Sequence, residues 1–440
     1  MLKRIRIKGY KSLVDLELKL EALTVLVGPN ASGKSNFLDA LQLLSRIATC
    51  QSLEHVFEPP YRGHPLESFT FGDEGIRSLL DKEKISFLIE VDVELSQSVI
   101  NSVNKRIQDI KDTNDKDQQF SDSSVSKPTQ PVRENLLRYR IEIEMYPKKG
   151  ILRVSDEYLA ALSTQGIPKN NRKPFLERIG NRLHLRMEGQ SHPLYYERYL
   201  DFSILSRSHY PPHYPHLTAM QEELANWLTF YLEPREQMRM PNPVKAAHDI
   251  GPMGENLAAF LNNLKAHNID QFQSIEKSLN KMIPSFTGIN VNVNEIGEVE
   301  LDLKEGTKHF SARVLSEGTL RIIGLLTLVS GKEPPTLIGI EEPENGIHPR
   351  RIKRIAKFLE ARMILKDIQF IVTTHSSVLP DLIPTESLFI CRKDQDNTEI
   401  IPYQMAMHGD LFKSSEIEIV MTEHNRLSPS ERILRGDFDD

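Results

Sequence analysis

Gly28-Pro29-Asn30-Ala31-Ser32-Gly33-Lys34-Ser35 is the stretch from which the fold can be read, because it fits the pattern G-x-x-x-x-G-K-[ST]. Glycines there permit a tight turn whose backbone N–H groups converge, and a helix that follows aims the positive end of its dipole at the same point. In such a loop the lysine reaches the β- and γ-phosphates of a nucleotide, and the serine hydroxyl can ligate Mg²⁺. The flanks supply the context the pattern needs. Leu23–Val27 is a short continuous apolar run, as for a strand buried on both faces. After the loop, Phe37, Ala40, Leu41, Leu44 and Ile47 recur at helical spacing over 36–48. A plain glycine turn with a solvated lysine would not need this strand–loop–helix setting.

Upstream, Ile5 and Ile7 alternate with Arg4, Arg6 and Lys8, and Val14, Leu16, Leu18 and Leu20 with Asp15, Glu17 and Lys19. This period of two predicts two strands joined at Gly9-Tyr10-Lys11-Ser12. Downstream, 85–95, 136–145 and 151–154 read as strands. Between them, 96–134 turns to Ser, Asn, Asp, Gln and Lys, which predicts a flexible surface insertion. Leu217, Met220, Leu224, Trp227 and Tyr231 form one apolar stripe, and Phe272, Ile275, Leu279 and Met282 another, so 217–283 reads as mostly helical. Each stripe is too short for a coiled coil. The runs 336–340, 369–373 and 387–391 return to strand character.

The chain has 440 residues and a formal net charge of −6, which argues against a wholly polybasic binder. Cys50 and Cys391 are its only cysteines, too few for a disulfide framework; a reducing cytoplasm is the expected compartment. The start MLKRIRIKGYK lacks the apolar core of a secretory signal. The longest apolar run, Ile322–Val329, falls far short of the roughly 20 residues that span a bilayer, so no membrane is expected as a partner.

Three later segments bear on a bound nucleotide. Leu337-Ile338-Gly339-Ile340 leads into Glu341-Glu342-Pro343, placing two carboxylates at the end of an apolar strand, where they can hold hydrated Mg²⁺ and orient a water. Leu315-Ser316-Glu317-Gly318-Thr319 precedes an apolar helix; alone, it reads as a helix cap. Ile371-Val372-Thr373-Thr374 runs into His375, which alone would read as a packed structural histidine.

The order of these segments resembles that of ABC-type ATPases, in the soluble branch that includes SMC heads, RecF and the ATPase part of OLD proteins. Glu341 lies 25 residues after Ser316 (341 − 316), and His375 lies 33 after Glu342 (375 − 342), as in that group. The resemblance covers about 1–60 and 310–392. It implies an α/β fold, a split P-loop head with a mixed α+β insertion, organised as 1–95, 96–305 and 306–440. It further implies that Gly28, Pro29, Asn30, Ala31, Ser32, Gly33, Lys34, Ser35 and Asn36 bind ATP, and that Ser35 and Glu341 hold Mg²⁺. Glu342 would be the general base and His375 the switch contacting the γ-phosphate. Ser316, Glu317 and Gly318 would contact ATP on a second copy, giving a homodimer or an oligomer of dimers.

Glu341 departs from the family's usual aspartate, and LSEGT from the commoner LSGGQ. Glu344-Asn-Gly-Ile-His348-Pro resembles the E-x-x-x-H-P of the RecF and OLD groups. Gln42 and Gln97 are candidates for the family's glutamine loop. Without long heptads or room for a fused Toprim domain, the nearest likeness is to the stand-alone ATPases of Septu-type and PARIS-type anti-phage systems. That implies a separately encoded nuclease or toxin, of HNH or Toprim type, as partner. A RecF-like clamp that closes on DNA and an ATP-bound scaffold with little hydrolysis are the alternatives. The run His209-Tyr-Pro-Pro-His213-Tyr-Pro-His216 reads as a rigid surface loop rather than a metal site. Arg350, Arg351, Lys353, Arg354 and Lys357 read as a solvated helix face with phosphate contact as the rival, and the end GDFDD as a tail or docking peptide.

Overall fold

The computed structural model describes residues 1–72, 74–117, 131–189, 192–197, 199–331, 335–366, 368–411 and 427–438. The chain forms two compact units that interleave in sequence. One comprises Met1–Glu21, Asp39–Trp227 and Lys393–Glu399; the other Ala22–Leu38, Leu228–Arg392 and Ile400–Asp440.

The first unit is built on an eight-stranded antiparallel sheet. Its order is Leu13–Lys19, Leu2–Tyr10, Ile85–Glu94, Leu136–Tyr146, Ile151–Ala161, Leu176–Ile179, Arg182–Leu185, Leu194–Glu197. Alternation dictates its faces: Ile5, Ile7, Ile89, Val91, Tyr139 and Ile141 are fully buried, while Arg4, Glu90, Asp92 and Arg138 pair across the other face. Strands 136–146 and 151–161 extend this sheet by antiparallel pairing.

Two expectations here hold only in part. Gln97–Asp117 is a helix, not a flexible insertion; Val99, Val103 and Ile107, four residues apart, are buried despite their polar surroundings. The rest of that stretch, 118–130, lies outside the described residues. The histidine run is a loop over 209–214, with Tyr210 exposed, but Pro215 and His216 open the helix Pro215–Ala225, and His216 is buried on its first turn. Its Nε2 accepts the N–H groups of Arg133 and Glu134 at 3.1 and 3.0 Å, while Nδ1 lies 2.8 Å from Glu188.

A six-stranded sheet, most of whose residues belong to the second unit, runs in the order Trp227–Phe230, Leu337–Glu341, Gln369–Thr374, Leu23–Val27, Leu388–Asp394, Asn397–Pro402. Its central strands are parallel, with Glu341 opposite Thr373 and Thr374 opposite Val27. Parallel strands buried on both faces read as unbroken apolar runs, which is why these are visible in sequence. The helical reading of 217–283 holds only in part: helices cover Pro215–Ala225, Leu257–His267 and Ile269–Met282, but Trp227–Phe230 is a strand. The helical spacing of Trp227 is overridden by pairing in the sheet, and Tyr231 lies just past that strand. Phe438 is buried and packs edge-on against Tyr403, so the chain's acidic end is not a free tail as far as it is described. No helix among the described residues is long and apolar enough to cross a membrane.

Candidate functional site

In-register parallel strands bring three loops to one sheet end, the carboxyl end, where open α/β sheets bind ligands. Val27 leads into the glycine loop, Glu341 into Glu342, and Thr374 into His375. All three belong to the second unit.

The loop's glycines have separate causes. A Cβ on Gly28 would lie 2.0 Å from the Cys391 carbonyl oxygen, so close approach of the neighbouring strand demands glycine there. Gly33 has φ +102°, a conformation L side chains rarely adopt, and Ala31 is also left-handed at φ +65°. Helix Lys34–Thr49 starts at once, and Phe37 N–H bonds the Gly33 carbonyl at 3.2 Å. Pro29 and Asn30 are exposed, Ser32 is buried and Asn36 is half-buried. Lys34 is buried and donates to the Gly28 and Pro29 carbonyls at 2.8 and 2.7 Å. Burial lowers its pKa, against the pull of Glu342, Glu341 and Glu344.

Ser35 Oγ donates to Glu341 Oε1, setting two hard oxygen donors side by side. The extra methylene of glutamate over aspartate therefore does not prevent the carboxylate from meeting the loop serine. Glu342 turns away from the strand at φ +46°, with its N–H on the Thr373 carbonyl at 2.9 Å. Its Oε1 lies 2.8 Å from His375 Nδ1, and its Oε2 accepts from Asn345. The packed-histidine alternative does not describe His375, whose side chain is 44% exposed.

Ser316 caps helix Glu317–Leu328, accepting the Thr319 N–H at 3.2 Å, and Glu317 accepts from Arg235 at 2.8 Å. Gly318 packs so closely on the turn after Glu342 that a Cβ there would lie 2.3 Å from the Gly346 carbonyl oxygen. Gln97 donates to Asn101 on its own helix, and Gln42 is buried; both belong to the first unit. The basic residues sit on helix Pro349–Lys366. Arg354 donates to the Lys281 and Met282 carbonyls at 2.8 Å each, capping a neighbouring helix, whereas Arg350, Lys353 and Lys357 are exposed.

Sequence reasoning assigns no role to four participants: Asn345 on Glu342, Thr374, the buried Glu344, and Arg321, whose Nη1 lies 3.5 Å from the Glu342 carbonyl. Glu344 lies within the E-x-x-x-H-P signal, but its partner Thr374 is 30 residues away.

Residues 1–169 match a family described as "AAA ATPase domain", and 222–381 one described as "AAA domain, putative AbiEii toxin, Type IV TA system". Among curated proteins, an OLD nuclease of Thermus scotoductus is 46% identical over 44 residues, 10% of this chain and 8% of that protein. The chromosome partition protein Smc of Desulfitobacterium hafniense is 34% identical over 92 residues, 20% of this chain and 7% of that protein. The matched stretches thus span under a tenth of either relative's length. A solved Smc head, bound in its crystal to the C-winged helix domain of ScpA, superposes with a TM-score of 0.51 at 12% identity, covering 91% of this chain and 97% of that one. The fold is that of the solved Smc head, and both matched families carry descriptions of AAA domains.

Proposed function

We propose that this chain binds and hydrolyses ATP with Mg²⁺, and that a second copy completes each site in a nucleotide-sandwich homodimer. The observation that carries this reading is the convergence of Lys34, Ser35–Glu341 and Glu342–His375 on one sheet end.

Each residue then has a definite task. Lys34 exchanges the Gly28 and Pro29 carbonyls for phosphate oxygens, whose negative charge offsets the cost of burying its ammonium. The loop N–H groups and the start of helix Lys34–Thr49 bind the remaining phosphate charge. Ser35 and Glu341 offer adjacent oxygens, a donor set suited to Mg²⁺. When bound, that ion neutralises charge on the phosphates. Glu342 accepts the proton of the attacking water; Asn345 and His375 fix its two oxygens. His375, exposed beside it, reaches the γ-phosphate. Ser316, Glu317 and Gly318 open a helix whose N-terminus suits an anion, here the γ-phosphate held by the other copy.

Biologically, the reading is a cytoplasmic regulatory ATPase of a prokaryotic anti-phage complex that holds or releases a separate nuclease or toxin. Its support is the family description naming a toxin system, the likeness to an OLD nuclease and the motif resemblance. The exposed Arg350, Lys353 and Lys357 favour a second reading, an ATP-gated clamp on DNA.

Purified chain should release phosphate from ATP with Mg²⁺ and dimerise on ATP. Glu342→Gln should lower kcat at least about 100-fold while keeping the ATP-dependent dimer. Equal hydrolysis by the wild type and this variant would remove Glu342 from the chemistry. Copurification of an operon-encoded nuclease, released or retained according to nucleotide, tests the defence role; steeply salt-dependent DNA binding by the chain alone would favour the clamp.

A further inference from the structure

We infer that Glu344 is a positioning residue: from beneath the site it holds the Thr374 hydroxyl, and so sets the His375 loop against Glu342. The inference rests on the reading of Glu342 and His375 as hydrolytic groups.

Glu344 is 7% exposed and Thr374 fully buried. The Thr374 hydroxyl donates to Glu344 Oε1, and Thr374 Oγ1 in turn accepts the Ser376 N–H at 2.9 Å. A hydroxyl has one proton. With that proton committed to Glu344, a lone pair faces Ser376, and the backbone on both sides of His375 is held. Without Glu344 the hydroxyl is free to rotate, and the Ser376 bond loses its orientation.

The turn 342–347 and the His375 loop are thus joined twice. The outer join is Glu342 Oε1 to His375 Nδ1, between two partly exposed side chains. The inner join, Glu344 to Thr374, is dry, and a bond sheltered from water is the one that fixes geometry. Glu342 itself sits at φ +46°, a conformation that persists only where surrounding bonds over-determine it. The turn is closed on itself by the Asn345 N–H on the Glu342 carbonyl at 3.1 Å and the Ile347 N–H on the Glu344 carbonyl at 2.9 Å. Anchoring Glu344 therefore anchors the residue two positions before it.

The task needs an acceptor, not a charge. Glu344 Oε2 has no hydrogen-bond partner among the described residues, and burial pushes the pKa up, favouring the neutral acid. A glutamine carbonyl can accept from Thr374 equally well.

The experiment compares Glu344→Ala, Glu344→Gln and Thr374→Val in the full chain, by ATPase kinetics and by amide exchange in nucleotide-free protein. Glu344→Ala and Thr374→Val should each lower kcat about 10-fold or more with KM for ATP within about 2-fold, and Glu344→Gln should restore kcat to within about 2-fold. Exchange of the Ser376 amide should rise about 10-fold in the first two variants and not in the third. Should Glu344→Ala fail to fold, Thr374→Val decides alone. Unchanged exchange at Ser376, or a Glu344→Gln as impaired as Glu344→Ala, would overturn the inference. A wild type that does not hydrolyse ATP would defeat the functional reading instead, and amide exchange would still decide whether Glu344 positions the loop.

Discussion

Replacing Gly318 by alanine distinguishes two reasons for a glycine at this place. If it serves only the ATP of a second copy, alanine harms the partner's site and leaves its own intact. Packing within the chain says otherwise. The new Cβ would stand 2.3 Å from the Gly346 carbonyl oxygen and 3.4 Å from Ile347 Cα. Carbon and carbonyl oxygen rest at about 3.3 Å, so helix and turn must part by about 1 Å. Both contacts are backbone, so no side chain can swing aside. Overpacking of this kind costs about 1–3 kcal/mol, and a 1 Å misplacement of reacting groups can cost about 100-fold in rate. Because the turn carries Glu342, the damage falls on the mutated chain's own site. Mixing Gly318→Ala with Glu342→Gln tests this. If the glycine acted only across the dimer, the mixed dimer would keep one intact site, made of Glu342 from one chain and Gly318 from the other. Random pairing at equal concentrations would then restore about a quarter of wild-type hydrolysis. We expect restoration of no more than a few per cent, and recovery near a quarter would refute the packing explanation.

Three more outcomes follow from particular contacts. Gly28→Ala should abolish binding of a fluorescent ATP analogue, because its Cβ would sit 2.0 Å from the Cys391 carbonyl oxygen; retained affinity in titration would show that the strand can yield. Arg354→Ala should lower the unfolding free energy in urea by about 1–3 kcal/mol, since it strips the Lys281 and Met282 carbonyls of a charged donor; Lys353→Ala, exposed on the same helix, should change it by less than about 0.5 kcal/mol. Glu344 has a raised pKa in the folded state, so its contribution to stability is full below the unfolded value of 4.5 and is lost as pH rises through the folded value. Urea unfolding between pH 4.5 and 8 should accordingly show a shallower decline in Glu344→Gln than in wild type, and parallel pH profiles would contradict a buried neutral acid.

The elements most legible in the sequence are those whose surroundings are uniform. Leu23–Val27 lies between two parallel neighbours, Leu337–Glu341 pairs in parallel with Gln369–Thr374, and both read as buried, largely apolar runs. The glycine-rich loop is legible because its backbone demands glycine at Gly28 and Gly33. Gln97–Asp117 is obscured because its few buried apolar residues, Val99, Val103 and Ile107, are outnumbered by the polar residues around them. Trp227 misleads for the opposite reason: it keeps helical spacing with Leu224, yet the chain leaves the helix at Ala225 and joins the sheet. His216 resembles a surface or metal residue until the partners of its ring nitrogens, 28 and more residues away, are in view.

Local chemistry alone determined that this chain holds a glycine-rich loop between a strand and a helix, paired carboxylates and a strand-end histidine, since each is a demand made by neighbouring residues on one another. Which of them meet is a different matter. Parallel register brought Ser35 to Glu341 and Glu342 to His375 across more than thirty residues of chain. Close packing made Gly28 and Gly318 obligatory, and burial turned Glu344 from one more acidic residue into an anchor for Thr374. Contacts between residues far apart in the chain exist only once the backbone has folded, so composition and spacing carry no direct record of them.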